Sequence, residues 1–378
     1  MRRALLPLLR CPACRAPLEA RALAGDDPIE AGVLTCPAGH WYPVRDGIPR
    51  LLLAPYRRGD AAFLAAHGLA LPAFPGAAPG EDTQQQVQDS FSAKWAKLPQ
   101  FGFDRPGIRE FYDAWFRRKL GLPAPDDFAR FLRGKRRVLD AGTGLGAKVE
   151  TVCRLHPEAL VVGVDIADGV DDAARNTRHL PGAHIVQADL RDLPFAPETF
   201  DLIVSDGVLH HTPDTRTSFR ALLPTLAPGG HIAIHVYRKM GPIREFCDDY
   251  IRARTTRMPA AECWEAVKAL TDLGRALSEL KVEIEVPVDI PMLEIPAGRY
   301  DLQRFLYYHV FKCFWNPEFG YDESNLVNFD WYHPADAHRH TEAEVAGWFA
   351  EAGLEEIVAL QPNESGVAAR GRKPARPA

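Results

Sequence analysis

Two close pairs of metal-type ligands open the chain: Cys11-Pro-Ala-Cys14 and, after a loop, Cys36-Pro-Ala-Gly-His40. Three thiolates and one imidazole satisfy a tetrahedral zinc ion, and a site with all four positions filled by protein is closed and structural rather than catalytic. The intervening loop is long enough for a small hairpin, and binding metal is how so short a segment acquires a fold. A second set of candidate residues begins at Val138-Leu-Asp140-Ala-Gly142-Thr-Gly144-Leu-Gly146, an apolar run that ends in an acid and then a glycine turn. Glycines let the backbone turn sharply there and let a ligand lie close against it. Acids recur at the ends of later apolar runs, at Asp165, Asp189 and Asp206, and His210-His211 follows the last of them. Histidine titrates near neutrality, which makes His210 the candidate base and His211 the second choice.

The elements needed to position these residues can be read from the same stretches. An apolar strand, a tight turn and a helix opening near Leu145 form the first unit of a nucleotide-binding α/β sheet. Further strands are expected at 160–165, 183–190, 200–206 and 231–237, separated by helical segments, which implies crossover connections and a mostly parallel sheet. Ligands of such sheets sit beyond the carboxyl ends of the strands, where Gly142, Asp165, Asp189 and Asp206 all fall. The glycine string alone leaves the cofactor class open, since Gly142, Gly144 and Ala147 also satisfy a dinucleotide fingerprint. Thr212 is placed to cap the next helix with Pro213 at its first position, holding both histidines just ahead of it.

A chain of 378 residues, 46% hydrophobic and 25% charged, suits one large globular domain with a satellite, or two modest ones. A net charge of −5 gives no whole-protein attraction to nucleic acid, and no apolar run has membrane-spanning length. The amino terminus has an apolar part broken by Pro7 and ending at Arg10 without a small-residue cleavage site, unlike a secretory signal. Cys153, Cys247, Cys263 and Cys313 are scattered without pairing logic, so a cytoplasmic location is expected, with no membrane partner.

The expected organisation is a zinc ribbon over residues 1–57, a linker over 58–90, a helical cover over 91–134, an α/β core over 135–240, a helical insertion over 241–335, the end of the core over 336–371 and a disordered tail over 372–378. The linker is rich in Ala, Pro and Gly, with Phe63, Leu64 and Phe74 as thin anchors and a short helix after Asp60. Within the cover, Phe91 and Trp95 are candidates to face the ligand. Arg133, Lys135, Arg136 and Arg137 form a basic cluster, a solvated rim or a phosphate contact if the substrate is RNA. The insertion reads as helices at 242–257 and 260–280, a strand at 282–286 and a helix at 301–315. The last carries Phe305, Tyr307, Tyr308, Phe311, Phe314 and Trp315, a set that suits a roof over a flat or apolar acceptor, or equally a contact between two copies in a homodimer. His333, His338 and His340 leave three readings open: a substrate contact, an ordinary loop or a second metal site. Thr341-x-x-Glu344 is a capping box ahead of an amphipathic helix, and 354–360 with 365–370 forms a terminal hairpin.

Taken together, Asp140-Ala-Gly-Thr-Gly-Leu-Gly, Asp165, Ala188-Asp189-Leu190, Phe200-Asp-Leu-Ile-Val-Ser-Asp-Gly-Val-Leu-His-His and Leu226-Ala-Pro-Gly-Gly resemble class I S-adenosylmethionine-dependent methyltransferases. The resemblance spans residues 135–240 and resumes at 341–371. It implies a Rossmann-like sheet, parallel with an antiparallel last strand, and S-adenosyl-L-methionine as cofactor. Carried over, Gly142 and Gly144 meet its amino-acid part, Asp165 its ribose and Asp189 its adenine, with Asp140, Ile166, Leu190 and Asp206 completing the cofactor-binding set. Cys-Pro-x-Cys, the second knuckle and Tyr42-Pro-x-x-Asp-Gly-Ile-Pro-x-Leu-Leu resemble the small zinc-ribbon proteins that activate tRNA and translation-factor methyltransferases. The fourth ligand departs from that pattern, His40 standing where a Cys-x-x-Cys is common, and a Cys-x-x-x-His knuckle also resembles the ribbon of bacterial ribosomal-RNA guanine methyltransferases. The resemblance implies methyl transfer; the acidic balance, the large aromatic insertion and the absence of a broad basic face point to O, N or C of a small metabolite or natural product as acceptor, whereas the ribbon's resemblance to RNA-modifying relatives points to RNA, and the ribbon is read as bracing the catalytic domain. An rRNA or tRNA base methyltransferase that binds its substrate through the ribbon, and a non-catalytic methyltransferase-fold partner protein, are the alternatives.

Overall fold

The computed structural model describes residues 1–72, 83–103, 106–363 and 365–376. The expected anchor Phe74 lies outside them. At the amino terminus, β1 (Glu19–Ala24), β2 (Ala31–Thr35), β3 (Trp41–Arg45) and β4 (Ile48–Pro49) form an antiparallel sheet in chain order. Four helices follow: α1 (Asp60–Ala66), α2 (Gln84–Lys97), α3 (Pro106–Lys119) and α4 (Pro125–Leu132). The core then alternates strand and helix through β5 (Arg137–Ala141), α5 (Ala147–Leu155), β6 (Leu160–Asp165), α6 (Val170–Thr177), β7 (Ala183–Gln187), β8 (Phe200–Asp206), α7 (Thr215–Leu222) and β9 (Leu226–Tyr237).

An insertion separates β9 from the end of the sheet. It holds α8 (Pro242–Thr255), α9 (Ala260–Ala266), α10 (Lys268–Glu279), the paired strands β10 (Glu283–Val286) and β11 (Gly298–Asp301), α11 (Leu302–His309) and α12 (Tyr321–Tyr332). The chain closes with α13 (Glu342–Glu351), β12 (Glu355–Asn363) and β13 (Gly366–Arg372). The seven-stranded sheet runs β12-β13-β9-β8-β5-β6-β7, with β5 to β9 parallel and β13 antiparallel to β9. This is the expected architecture, a Rossmann-like sheet, parallel with an antiparallel last strand. β5 lies at the middle of the five parallel strands, with Leu139 opposite Val162 on one side and Ile203 on the other. A strand covered on both faces reads as a continuous apolar run, which is why these strands were legible.

The ribbon joins the sheet in two ways. Its Leu5, Leu9, Tyr42, Val44 and Leu51 share one hydrophobic core with Leu139, Val162, Val186 and Ile203. Beyond β4, Arg50 bridges Gln187 in parallel and Leu51 N donates to Gln187 O at 2.7 Å, so the ribbon covers the exposed edge of β7. Covering an edge strand removes a template for aggregation. The opposite face of the sheet packs on α3 and α4 through Phe116, Leu120, Phe128 and Leu132. The insertion has its own core of Trp264, Val267, Leu326, Phe329 and Trp331, against which Trp95, Leu98 and Phe101 also pack.

Several local expectations are corrected. Asp214, not Thr212, caps α7, accepting from Thr217 N at 2.6 Å; the Thr212 hydroxyl turns back to Leu209 O at 2.7 Å. A carboxylate at the helix start also suits the macrodipole. The expected helix at 301–315 ends at His309, and its aromatics pack within the insertion, for example Tyr307 under the Arg244 guanidinium and Phe314 against Phe319. Residues 330–332 end α12, with Leu326, Phe329 and Tyr332 facing the insertion core at helical spacing. The chain stays ordered past 371: Arg372 ends β13, and Lys373 N donates to Gly230 O at 2.8 Å. The capping box forms as read, with Glu344 N donating to Thr341 Oγ1 and Thr341 N to Glu344 Oε2. No helix among the described residues is long and apolar enough to cross a membrane.

Candidate active site and metal centre

In the ribbon, one ligand atom from each of Cys11, Cys14, Cys36 and His40 lies within 4.8 Å of the others. His40 Nδ1 is 3.5 Å from Cys11 Sγ and 3.4 Å from Cys36 Sγ, and Cys14 and Cys36 sulfurs are 3.6 Å apart. A Zn–S bond of about 2.3 Å in a tetrahedron places sulfurs about 3.8 Å apart, so the donor set and spacing fit zinc. The Tyr42 hydroxyl, 3.2 Å from Cys11 Sγ, is a second-sphere partner of the kind that orients metal ligands.

At the carboxyl ends of the parallel strands lies a cavity of about 280 Å³. The glycine turn forms its floor. Gly142 and Gly144 have φ of 91° and 52°, and side chains there would strike Val208 and, at 2.8 Å, the Trp95 ring. The turn is tied to the end of β6: Gly144 N donates to Asp165 Oδ2 at 2.8 Å, and Ala167 N to Asp165 Oδ1 at 2.9 Å. Each Asp165 oxygen thus keeps a lone pair for hydroxyls on the cavity wall. Burial raises the Asp165 carboxyl, and these amides oppose the rise. Ile166 and Leu190 also line the cavity. The expected cover is formed by α2, whose Val87, Phe91, Lys94 and Trp95 face inward.

Two of the expected contacts are placed differently. Asp140 is 2% exposed beneath the turn, with Oδ2 accepting from the Thr143 hydroxyl at 2.7 Å and Oδ1 without a partner among the described residues. Burial pushes its carboxyl up to about 6. Asp189 is absent from the cavity wall: it caps the turn at 190–192 and is held by the Arg191 guanidinium at 2.7 Å. Asp206 does face the cavity, but as an ion cluster that sequence reading missed. Lys119 of α3 donates to it at 2.7 Å, Lys148 lies at 3.4 Å and His235 Nδ1 at 3.3 Å. Burial opposes ionisation there, yet Lys119 and Lys148 hold the Asp206 carboxyl well below its usual range.

The histidine pair divides. His210 is fully buried and off the cavity wall, its Nδ1 accepting from Tyr237 N at 3.3 Å and its ring 3.7 Å from that of Tyr237. Of the pair, His211 is the one on the wall, which it shares with His235. Its Nδ1 meets Asp336 O at 2.7 Å, and since a carbonyl can only accept, Nδ1 carries the proton. Burial pushes the imidazole down to about 4, so it is neutral at physiological pH, and its Nε2 is buried with no partner among the described residues. Opposite stand Tyr237, from the end of β9, and Asp330, from α12 of the insertion. The Tyr237 hydroxyl donates to Asp330 Oδ2 at 2.8 Å, and Lys94 Nζ to Oδ1 at 2.7 Å. No pattern of spacing announces Asp330; it reaches the site only because α12 packs against α2 and α8.

The three remaining histidines do not converge. His333 bridges Ser90 Oγ at 2.7 Å and Met258 O at 3.0 Å, while His340 Nε2 meets Thr215 Oγ1 at 2.9 Å. Among the described residues, only the ribbon cluster has metal-type geometry.

The glycine cradle, Asp165 and the Asp206 carboxylate on the cavity wall fit S-adenosylmethionine, whose ribose needs acceptors and whose ammonium needs a carboxylate. Residues 139–234 match the family model described as methyltransferase domain, and residues 2–47 the one described as Trm112p-like protein. The chain therefore combines a methyltransferase domain with a Trm112p-like amino-terminal domain. It is 36% identical over 115 residues to trans-aconitate 2-methyltransferase of Methylobacterium nodulans, covering 30% of this chain and 43% of that protein. It is 29% identical over 132 residues to phthiotriol/phenolphthiotriol dimycocerosates methyltransferase of Mycobacterium leprae, covering 35% and 48%. The chain thus spans less than half the length of these relatives. Among solved structures, the 1,6-didemethyltoxoflavin-N1-methyltransferase of Burkholderia thailandensis aligns over 80% of this chain and 93% of that one, with 15% identity and a TM-score of 0.43.

Proposed function

We propose that the protein is an S-adenosylmethionine-dependent methyltransferase acting on a small molecule, with a structural zinc ribbon. The observation that carries this reading is the cavity itself: a glycine cradle and Asp165 on one wall, closed over by α2 and by Asp330 of the insertion. Bound there, the cofactor supplies a methyl group on a positively charged sulfur. Gly142, Gly144, Asp165, Ile166 and Leu190 would hold it, with the Asp206 cluster at its amino-acid end and Asp140 bracing the turn from beneath. In-line methyl transfer depends on alignment and on excluding water, and Trp95 and Phe91 supply that enclosure.

Relatives that methylate trans-aconitate and phthiotriol-type compounds support a small acceptor over RNA. So does charge placement: Arg136 and Arg137 sit at the start of β5, where their amides bond Asp201, at the end of the sheet opposite the cavity. The ribbon contributes no side chain to the cavity wall, which supports bracing rather than substrate binding.

Calorimetric titration of the zinc-loaded protein with S-adenosylhomocysteine, beside an Asp165→Ala variant, tests the reading. Micromolar binding that the variant loses is expected. No binding by folded wild-type protein would overturn the enzyme and favour a non-catalytic partner protein.

A further inference from the structure

Three lysines and three carboxylates line the cavity, and although the totals match, the pairing does not. Lys94 pairs with Asp330 at 2.7 Å, and Asp165 is held by the amides of Gly144 and Ala167. Asp206 has two lysines. Lys119 Nζ donates to its Oδ1 at 2.7 Å, and Lys148 Nζ lies 3.4 Å from its Oδ2. His235 Nδ1, 3.3 Å from Oδ1, leaves the balance unchanged, because burial pushes its imidazole down and keeps it neutral. Gln84, Tyr112, Thr212 and Tyr237 on the same wall can hydrogen-bond a ligand but supply no positive charge. The cluster is gathered from four elements: Lys119 ends α3, Lys148 sits in the first turn of α5, Asp206 ends β8 and His235 stands near the end of β9.

One lysine would neutralise one carboxylate, and the second costs repulsion. Burial pushes the Lys119 amine down, Asp206 opposes this, and Lys148 adds to the fall. Asp140 attracts Lys148 from beneath the glycine turn, but it stands off the wall and its Oδ2 accepts from the Thr143 hydroxyl. A buried ammonium is tolerated when opposite charge and acceptors meet it, and an ion pair kept for stability alone needs no second cation. Each ammonium has three donors, and the contacts to Asp206 use only part of them. Lys148, which also lines a small cleft adjoining the cavity, keeps 23% of its side chain exposed. Lys119 keeps 11% and is steadied by the Trp115 ring, 4.8 Å from its Nζ.

We propose that Lys119 and Lys148 form a receptor for a carboxylate brought by a ligand, with Asp206 between them as the positioning residue. The inference rests on the methyltransferase reading and deepens it. One surplus positive charge matches a monoanion rather than a dianionic phosphate. Two ligands of that reading can bring one: the cofactor, whose amino-acid end carries a carboxylate beside its ammonium, and an acidic methyl acceptor. From the cofactor, the carboxylate makes the site selective for an intact amino-acid end. From the acceptor, it makes the site prefer a free acid over its amide or ester.

Two matched pairs of probes test it by calorimetric titration. S-adenosylhomocysteine and its decarboxylated analogue differ only in the carboxylate and test the cofactor as its source. Benzoate and benzamide, nearly the same in shape, test the acceptor, with and without saturating S-adenosylhomocysteine. In at least one pair the carboxylate form should bind about tenfold tighter or more, as expected for one hydrogen bond to a charged group. A preference in the first pair assigns the carboxylate to the cofactor, and one in the second assigns it to the acceptor. The preference should shrink to within about twofold in Lys119→Met and in Lys148→Met, and Lys148→Arg should keep it. Each methionine variant leaves Asp206 one lysine, and Lys148, the more exposed of the two, remains readable where loss of buried Lys119 destabilises the fold. No preference in either pair, or a preference that survives both methionine substitutions, would overturn the proposal. Wild-type protein that binds neither adenosyl compound would instead strike the methyltransferase reading, while the benzoate arm without cofactor still decides the carboxylate site.

Discussion

Replacing Arg50 by methionine should weaken cofactor binding from a position in the ribbon that does not touch the cavity. Arg50 is 6% exposed; it ion-pairs with Asp171 and donates to Gln187 Oε1 at 3.0 Å. Gln187 in turn donates through Nε2 to Ile166 O at 3.1 Å and Asp168 Oδ1 at 3.0 Å, and Ile166 lines the cavity next to Asp165. A second strand of the same net runs from Tyr56 O through Gln88 Nε2 to Ile166 O. Methionine keeps the apolar stem but leaves Gln187 Oε1 buried without its donor, a cost of about 1–3 kcal/mol. Asp171 is partly exposed and takes water instead, so the lost ion pair adds little. If about half the cost is relieved by the Gln187 amide turning away from Ile166, S-adenosylhomocysteine affinity should fall about fivefold. The unrelieved remainder, about 1 kcal/mol, should lower the melting temperature by about 2–4 °C, the shift per kcal/mol for a domain of about 150–250 residues. The assay is calorimetric titration of wild type, Arg50→Met and the control Arg3→Met, whose ion pair with Asp26 is solvent-exposed. A lowered melting temperature with affinity unchanged within twofold would refute the coupling and leave the ribbon as a passive support. Weakening by Arg3→Met would refute its route.

Metal analysis should find one zinc per chain, and Cys14→Ala or chelation should lower the melting temperature of the whole protein in a single transition, because ribbon and sheet share one core; two separate transitions in differential scanning calorimetry would show that they fold apart. Gly144→Ala places a left-handed φ of 52° on an L residue and a Cβ 2.8 Å from the Trp95 ring. The backbone strain alone is about 1–2 kcal/mol, and cofactor affinity should drop more than tenfold, with partial rescue by Trp95→Ala; additive losses in a double-mutant cycle would contradict the contact. Burial pushes His184, His211, His231 and His340 down to about 4. Their unfolded values lie near 6.5, so the unfolded chain binds more protons between those limits. Stability should therefore be complete above pH 6.5 and decline as pH falls towards 4, read as a falling melting temperature; a flat profile over that window would contradict the burial.

The parts of this molecule that local chemistry dictates were legible before any folding was considered. Tetrahedral zinc demands four donors at close spacing, so Cys11, Cys14, Cys36 and His40 declare themselves, and they do meet. Strands buried on both faces must be apolar, and a ligand lying on the backbone needs glycine, so the order of strands, Gly142, Gly144 and Asp165 follow from the chain itself. Capping of α13 is equally local. Side-chain direction is not. His210 and His211 are adjacent in sequence, and only the carbonyl of Asp336, far along the chain, turns His211 to the cavity while Tyr237 N takes His210. Asp189 looked like a ligand contact until Arg191 folded back on it, and Lys119, Lys148 and Asp206 become one cluster only when α3 docks on the sheet. Asp330 is the plainest case. Its helix packs through long-range contacts with α2, α8 and α9, and those contacts, not any motif, bring a carboxylate to the Tyr237 hydroxyl on the cavity wall.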